Sequence, residues 1–298
     1  MLQVTVAGLK LENPLMLASG ILDQNGYTMK RILESGAAAV VTKSIGSEPR
    51  DGYLPPVIYP IEGGLLNAVG LSNPGIDNIG GEIKIALSAG KPVIGSIFGS
   101  TPDEFLKLAI SMEEYGVSAV ELNLSCPHVQ GYGTEVGSDP VLVRNIVKNL
   151  KGSLRIPVFS KLSPNVNSVL EIARAASDSD ALVLINTVKG MAIDIVAKRP
   201  VLSNIYGGLS GSAIKSVGLR YVYEVKREMD IDIIGVGGIE NYQDALEYIM
   251  AGSKALQIGT ALGKFGKSIF YRISTELAEY LSKNNIRSVM DLVGAAQI

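Results

Sequence analysis

The sequence has no tryptophan, one cysteine and one histidine in 298 residues, and these scarcities exclude several functional classes. A single cysteine forms no internal disulfide and cannot alone hold a zinc ion or an iron–sulfur cluster. One histidine excludes a His-rich metal site and argues against a Ser-His-Asp triad, so no metal is expected. An excess of either charge is missing too: 27 Lys and Arg against 29 Asp and Glu leave a formal net charge of −2. Nucleic-acid binding needs a clustered basic surface, and here the basic residues are scattered, so neither nucleic acid nor a membrane surface is an expected partner. No apolar run reaches the roughly 18 residues that cross a bilayer. The opening MLQVTVAGLKLENP also lacks the charged-then-apolar order of a secretory signal. A reducing, cytoplasmic location is the expectation.

What is present is apolar sequence, 47% of the residues against 19% charged, with 33 glycines for tight turns. Short apolar runs fall at 15–18, 38–42, 93–97, 119–122, 158–160, 182–185, 233–236 and 255–258. Between most of them lie stretches with helical spacing, such as 102–115, 140–150, 166–176 and 242–251. Near-continuous apolar strands indicate a parallel sheet covered on both faces. Eight of them, alternating with helices, predict an α/β protein, a closed (β/α)8 TIM barrel forming one domain over 1–298. The alternative is a doubly wound open sheet, disfavoured by the count and by the lack of GxGxxG after the first strand. Residues 3–11 read as a β-hairpin turning at Ala7-Gly8, placed to plug the N-terminal mouth. Two connections, 44–77 and 186–212, are too long for plain loops. Both leave strand C-terminal ends, where barrel enzymes carry their chemistry.

The segment ELNLSCPHVQGYG at 121–133 places Asn123 at a strand end and Cys126 three residues on. A thiol above a barrel mouth can exchange a proton with substrate if its ordinary pKa near 8.5 is modestly lowered; otherwise Cys126 is a small buried hydrophobe. His128 can contact substrate or simply bond within its loop. Lys43 and Lys161 both end predicted strands, where two ammonium groups suit an anionic ligand or a reduced flavin. For each, a snorkelling surface lysine is the bland reading, and for Lys161 a Schiff base is a competing function. Asn67, followed by Gly70, and the pair Asn186-Thr187 can supply polar contacts to a pyrimidine ring. Glycines at 207, 208 and 211, at 235, 237 and 238, and at 259, followed by Thr260, come after the sixth, seventh and eighth strands, a common phosphate-binding region of barrels.

Taken together, LASG at 17–20, TKS at 42–44, NAVGLSNPG at 67–75, NLSCPHVQGYG at 123–133, KLSPN at 161–165, INTVKGMAID at 185–194, KRPVLSNIYGGLSG at 198–211, IGVGGI at 234–239 and QIGTAL at 257–262 resemble the class 1 dihydroorotate dehydrogenases over essentially the whole chain. The 198–211 segment is most similar to the class 1B catalytic subunit. The resemblance implies oxidation of (S)-dihydroorotate to orotate in pyrimidine (UMP) biosynthesis, with flavin mononucleotide (FMN) as cofactor and Cys126 as base. It implies that Lys43, Asn67, Val69, Gly70, Leu71, Asn123, His128, Asn186 and Thr187 hold the substrate. Ala18, Ser19, Lys43, Ser44, Asn123, Lys161, Ile185, Gly211, Gly237, Gly238, Gly259 and Thr260 are then flavin-binding, with Lys161 beside the ring. It further implies a homodimer of catalytic subunits and a second subunit carrying FAD and an iron–sulfur cluster, through which electrons reach NAD. One residue departs from the class 1 motif: His128 stands where Asn is usual, and this SCPH form resembles the dihydropyrimidine dehydrogenases that act on uracil and thymine. Imidazole can replace an amide as a hydrogen-bond partner, and the 198–211 segment favours orotate. The remaining alternatives are a Schiff-base sugar-phosphate lyase built on Lys161 and a non-catalytic barrel. The first leaves the placing of Cys126 unexplained, and the second has no need of Cys126, Lys43 and Lys161.

Overall fold

The computed structural model describes residues 1–124 and 134–298. Eight parallel strands close into a barrel in sequence order: Leu15–Leu17, Ala39–Val41, Val93–Ile97, Ala119–Asn123, Val158–Leu162, Ala181–Leu184, Asp232–Val236 and Ala255–Ile258. All eight expected runs are these strands. The register closes through Leu256 opposite Leu15, so no edge is left and the open-sheet alternative is excluded. Strands three and five are buried along their whole length, as a sheet packed on both faces requires.

Helices follow the strands, and several of them have a start fixed locally by a side-chain cap. Thr101 accepts the Glu104 N–H ahead of Pro102–Glu114, and Asp139 accepts from Val141 and Leu142 ahead of Pro140–Lys151; both helices open on proline, whose missing N–H costs nothing there. Asn241 and Asp244 form a reciprocal capping box for Tyr242–Ala251. The helix expected over 166–176 begins only at Val169, because the Ser168 side chain caps it there. A continuous apolar core joins the inner faces of these helices to the barrel strands.

The N-terminal hairpin pairs Val4–Val6 with Leu9–Leu11. Its turn N–H at Ala7 donates to Asp232 Oδ2 at 2.8 Å, at the first residue of the seventh strand, so the hairpin sits at the N-terminal mouth.

The two long connections are not independent loops. Ile58–Ile61 and Gly64–Asn67 from the first combine with Val188–Gly190 and Gly207–Ser210 from the second in one four-stranded antiparallel sheet at the C-terminal mouth. A small apolar cluster of Leu66, Ala68, Val201 and Leu202 holds it together. Gly207 and Gly208, expected in a phosphate loop, instead lie within a strand of this sheet. At Gly208 any Cβ would fall 2.1 Å from Thr187 Oγ1, so glycine is needed there for the close approach of the neighbouring strand.

Candidate active site

The strand C-termini and the loop sheet enclose a cavity of about 290 Å³. Its floor is charged. Lys43 follows the second strand and Lys161 lies in the fifth, and both are buried. Lys161 Nζ donates to Gln257 Oε1 at 3.0 Å, and Gln257 Nε2 donates to Glu121 Oε2 at 2.5 Å. Glu121 Oε1 lies 3.4 Å from Lys161 Nζ, an ion pair without hydrogen-bond geometry.

Beside this pair lies a belt of hydroxyls and amides. Ser44 Oγ is 2.9 Å from Ser96 Oγ and 3.4 Å from Ser19 Oγ, and it accepts Asn123 Nδ2 at 3.0 Å. Asn186 Nδ2 reaches Asn123 Oδ1 at 3.5 Å, while Asn186 Oδ1 accepts the Thr187 N–H at 2.7 Å. The two amide side chains, Asn123 and Asn186, thus come from the ends of strands four and six and are oriented by each other. Ala18 and Ile185 complete this part of the wall.

Asn67, Val69, Gly70 and Leu71 form the wall supplied by the first long connection. Asn67 Nδ2 donates to Gly208 O at 3.1 Å, which ties the two long connections together over the cavity. Gly70 and Leu71 turn through the left-handed region at φ 75° and 57°. The space beside Gly70 is taken by Tyr53, 2.8 Å from where a Cβ would stand, so loop packing requires glycine there. Buried Asn73 holds this turn: it accepts from Gly46 N and Gly75 N and donates to Leu71 O at 2.8 Å.

The opposite wall holds Gly211, Gly237, Gly238, Gly259 and Thr260. Among the described residues, the N–H groups of Gly237, Gly238, Gly259 and Thr260 find no acceptor within the protein. Tyr248, fully buried, donates its hydroxyl to Gly237 O at 2.8 Å and fixes this turn from behind. Burial pushes the Tyr248 pKa well above the usual phenol value, assisted by Asp244 and Glu247, so the hydroxyl stays a donor.

Asp23, 2% exposed, lies beneath the floor and accepts the Gly20 N–H. Burial raises its pKa above the ordinary 3.8, while the Lys43 charge and backbone N–H groups pull the other way. A raised folded-state pKa means that the folded protein holds the proton longer than the unfolded chain, so this contribution to stability falls as pH rises through the window above 3.8. Asp23→Asn removes that dependence. Its melting temperature should gain on the unsubstituted protein between pH 4 and pH 8 in a thermal melt series; a constant difference across that range contradicts the assignment.

Eighteen of the described residues named from sequence as site candidates therefore share one cavity, while Gly207, Gly208 and Gly235 lie within strands instead. Cys126 and His128 lie outside the described residues. Sequence reasoning missed Glu121 and Gln257, although each is a polar residue inside an apolar strand, AVELN and ALQI. That is the signal that could have found them.

A family model described as dihydroorotate dehydrogenase matches residues 1–281. A protein of Thermoplasma volcanium named dihydroorotate dehydrogenase B (NAD(+)), catalytic subunit, is 61% identical over 295 residues, covering 99% of this chain and 98% of that relative. Its namesake from Thermoplasma acidophilum is also 61% identical with the same coverage. The namesake from Methanocaldococcus jannaschii is 46% identical over 302 residues, again 99% of this chain and 98% of the relative.

Proposed function

This chain belongs to the dihydroorotate dehydrogenase family, and from that premise we propose that it oxidises (S)-dihydroorotate to orotate, with FMN in the cavity and the whole chain, 1–298, acting as one FMN-binding domain. The observation that carries the reading is the pairing within one cavity of a cationic floor, Lys43 and Lys161, with a wall of unsatisfied N–H groups at Gly237, Gly238, Gly259 and Thr260. Orphan backbone donors at the ends of strands seven and eight suit a phosphate, and buried ammonium groups suit a ring that gains negative charge on reduction. When bound, the flavin supplies the two-electron acceptor for the hydrogen that leaves C6 of the substrate.

The chain's own residues supply the rest. Cys126, two residues beyond Leu124 in sequence, takes the C5 proton as a thiolate, and the electron pair left at C5 forms the C5–C6 double bond as C6 loses its hydrogen. Asn67, Asn123, Asn186 and Thr187 present amides and a hydroxyl to the pyrimidine and its carboxylate, with Val69, Gly70 and Leu71 closing around it and His128 assigned as a further substrate contact. Lys43 offsets the substrate's negative charge. Ala18, Ser19, Ser44, Ile185 and Gly211 frame the flavin. Lys161, donating to Gln257 and paired with Glu121, is arranged as a fixed cation rather than as the free amine that a Schiff base needs.

The partner subunit follows from the same family reading. One cysteine cannot carry an iron–sulfur cluster, so electrons leave through a second subunit with FAD and such a cluster, and on to NAD. The long connections carry exposed apolar side chains suited to subunit contacts, including Ile195 and Val196 at 84% and 88% exposure, and a homodimer of catalytic subunits is part of the reading. No helix among the described residues is long and apolar enough to cross a membrane, and the proposed setting is the cytoplasm.

The cofactor reading is tested by reconstitution. Apoprotein mixed with FMN should stay yellow through gel filtration, whereas riboflavin, which lacks the phosphate, should bind at least about tenfold more weakly; equal retention of the two would remove the phosphate site. Gly238→Ala should weaken FMN binding by a similar factor in a fluorescence titration. Its φ of 71° disfavours any side chain, and the new Cβ would lie 2.8 Å from Lys215 Cβ and 2.9 Å from Gly211 O.

A further inference from the structure

Glu121 is a full negative charge in the middle of a barrel strand, with 0% exposure. An ionised carboxylate at such a position is costly unless it is paired and hydrogen-bonded. Its partners come from two other strands: Lys161 from the fifth and Gln257 from the eighth. The Gln257 amide can take only one orientation here, because its oxygen meets an ammonium and its nitrogen meets a carboxylate. A direct ammonium–carboxylate contact closes to about 2.7–2.9 Å. Here the gap is 3.4 Å with no hydrogen bond across it, and the shorter contacts both run through Gln257. Gln257 therefore shares the Lys161 ammonium with Glu121 and keeps the two from collapsing together. All three side chains line the cavity.

We propose that Glu121 and Gln257 are positioning residues for Lys161: a buried clamp that fixes where its ammonium stands on the cavity floor and how much of its charge reaches the bound ring, and thereby sets the flavin's reduction potential. This inference rests on the flavin reading above. The two residues act in opposite directions. Glu121 is an anion set against the negative charge that the ring gains on reduction, so removing its charge favours the reduced form. Gln257 holds the ammonium off Glu121, so removing its two hydrogen bonds lets Lys161, a flexible point charge, close on the carboxylate and withdraw from the ring.

The test is the midpoint potential of FMN-loaded protein, measured against redox dyes, in two variants. Glu121→Gln keeps the volume and hydrogen-bonding capacity and deletes the charge. It should shift the reduction equilibrium about tenfold toward the reduced form, raising the midpoint by about 30 mV for a two-electron couple. Gln257→Met keeps both charges and deletes both hydrogen bonds, and should shift the equilibrium in the opposite direction by a similar factor. Shifts of opposite sign support the clamp. Midpoints equal to that of the unsubstituted protein in both variants, even with lowered melting temperatures, would reduce the cluster to a structural role and overturn the inference. If Glu121→Gln does not fold, Gln257→Met decides alone: a lowered midpoint supports the clamp, and an unchanged one overturns it. Unsubstituted protein that retains no FMN would fail the flavin reading itself, whereas loaded variants with unchanged midpoints would fail only the clamp.

Discussion

Replacing Cys126 with alanine should yield a protein that folds, retains yellow FMN and turns over dihydroorotate about 10²–10⁴-fold more slowly at neutral pH, the range that a positioned general base contributes. Cys126 follows a strand end whose last residue, Asn123, is oriented by Ser44 and Asn186, so the strand ends at the belt of hydroxyls and amides that lines the cavity. The measurement is steady-state turnover with a dye acceptor, alongside the flavin spectrum. Cys126→Ser should recover part of the rate at high pH, since a hydroxyl is a weaker acid than a thiol. Cys126→Ala with full activity would remove Cys126 from the role of base.

Lys161→Met should act on stability and on chemistry together, and the two effects can be separated. Removing one member of a buried ion pair costs about 3–5 kcal/mol, because the other charge is left behind unpaired. Here the stranded group is Glu121, which has no exposure to water. Urea unfolding should show that loss. Turnover should fall about 10²–10³-fold, the usual effect of deleting a donor aimed at developing negative charge. The double variant Lys161→Met/Glu121→Gln should recover most of the stability and little of the turnover, since it removes the stranded charge but not the need for a cation at the ring. Recovery of both would show that Lys161 matters to activity only through the fold.

The strands of the barrel were legible because each is a short apolar run, and burial on both faces leaves no other pattern available. The hairpin was legible from Ala7-Gly8, which turns at φ 50° and 79°. The loop sheet was not, because the pairing that joins its two halves brings together residues about 140 positions apart, such as Gly208 with Asn67, and no local periodicity records that. The same blindness misassigned Gly207 and Gly208, whose missing side chains serve strand packing rather than a phosphate. The packing at Gly70 was hidden for a related reason, since only the fold shows that Tyr53 occupies the space beside it. Glu121 and Gln257 are polar residues in apolar strands, a signal that was passed over, and their joint partner on the fifth strand is set by barrel closure and has no trace in spacing. Site residues at strand ends were the easier group, because a charge or amide that terminates an apolar run must lie at the mouth.

Oxidation of dihydroorotate in this cavity by a bound flavin is read most directly from the visible flavin band of FMN-loaded protein mixed anaerobically with dihydroorotate or, separately, with dihydrouracil. The account predicts rapid bleaching by dihydroorotate and none by dihydrouracil, which lacks the carboxylate that the amide belt and Lys43 are placed to bind. Bleaching by dihydrouracil alone, or by neither compound, would contradict it.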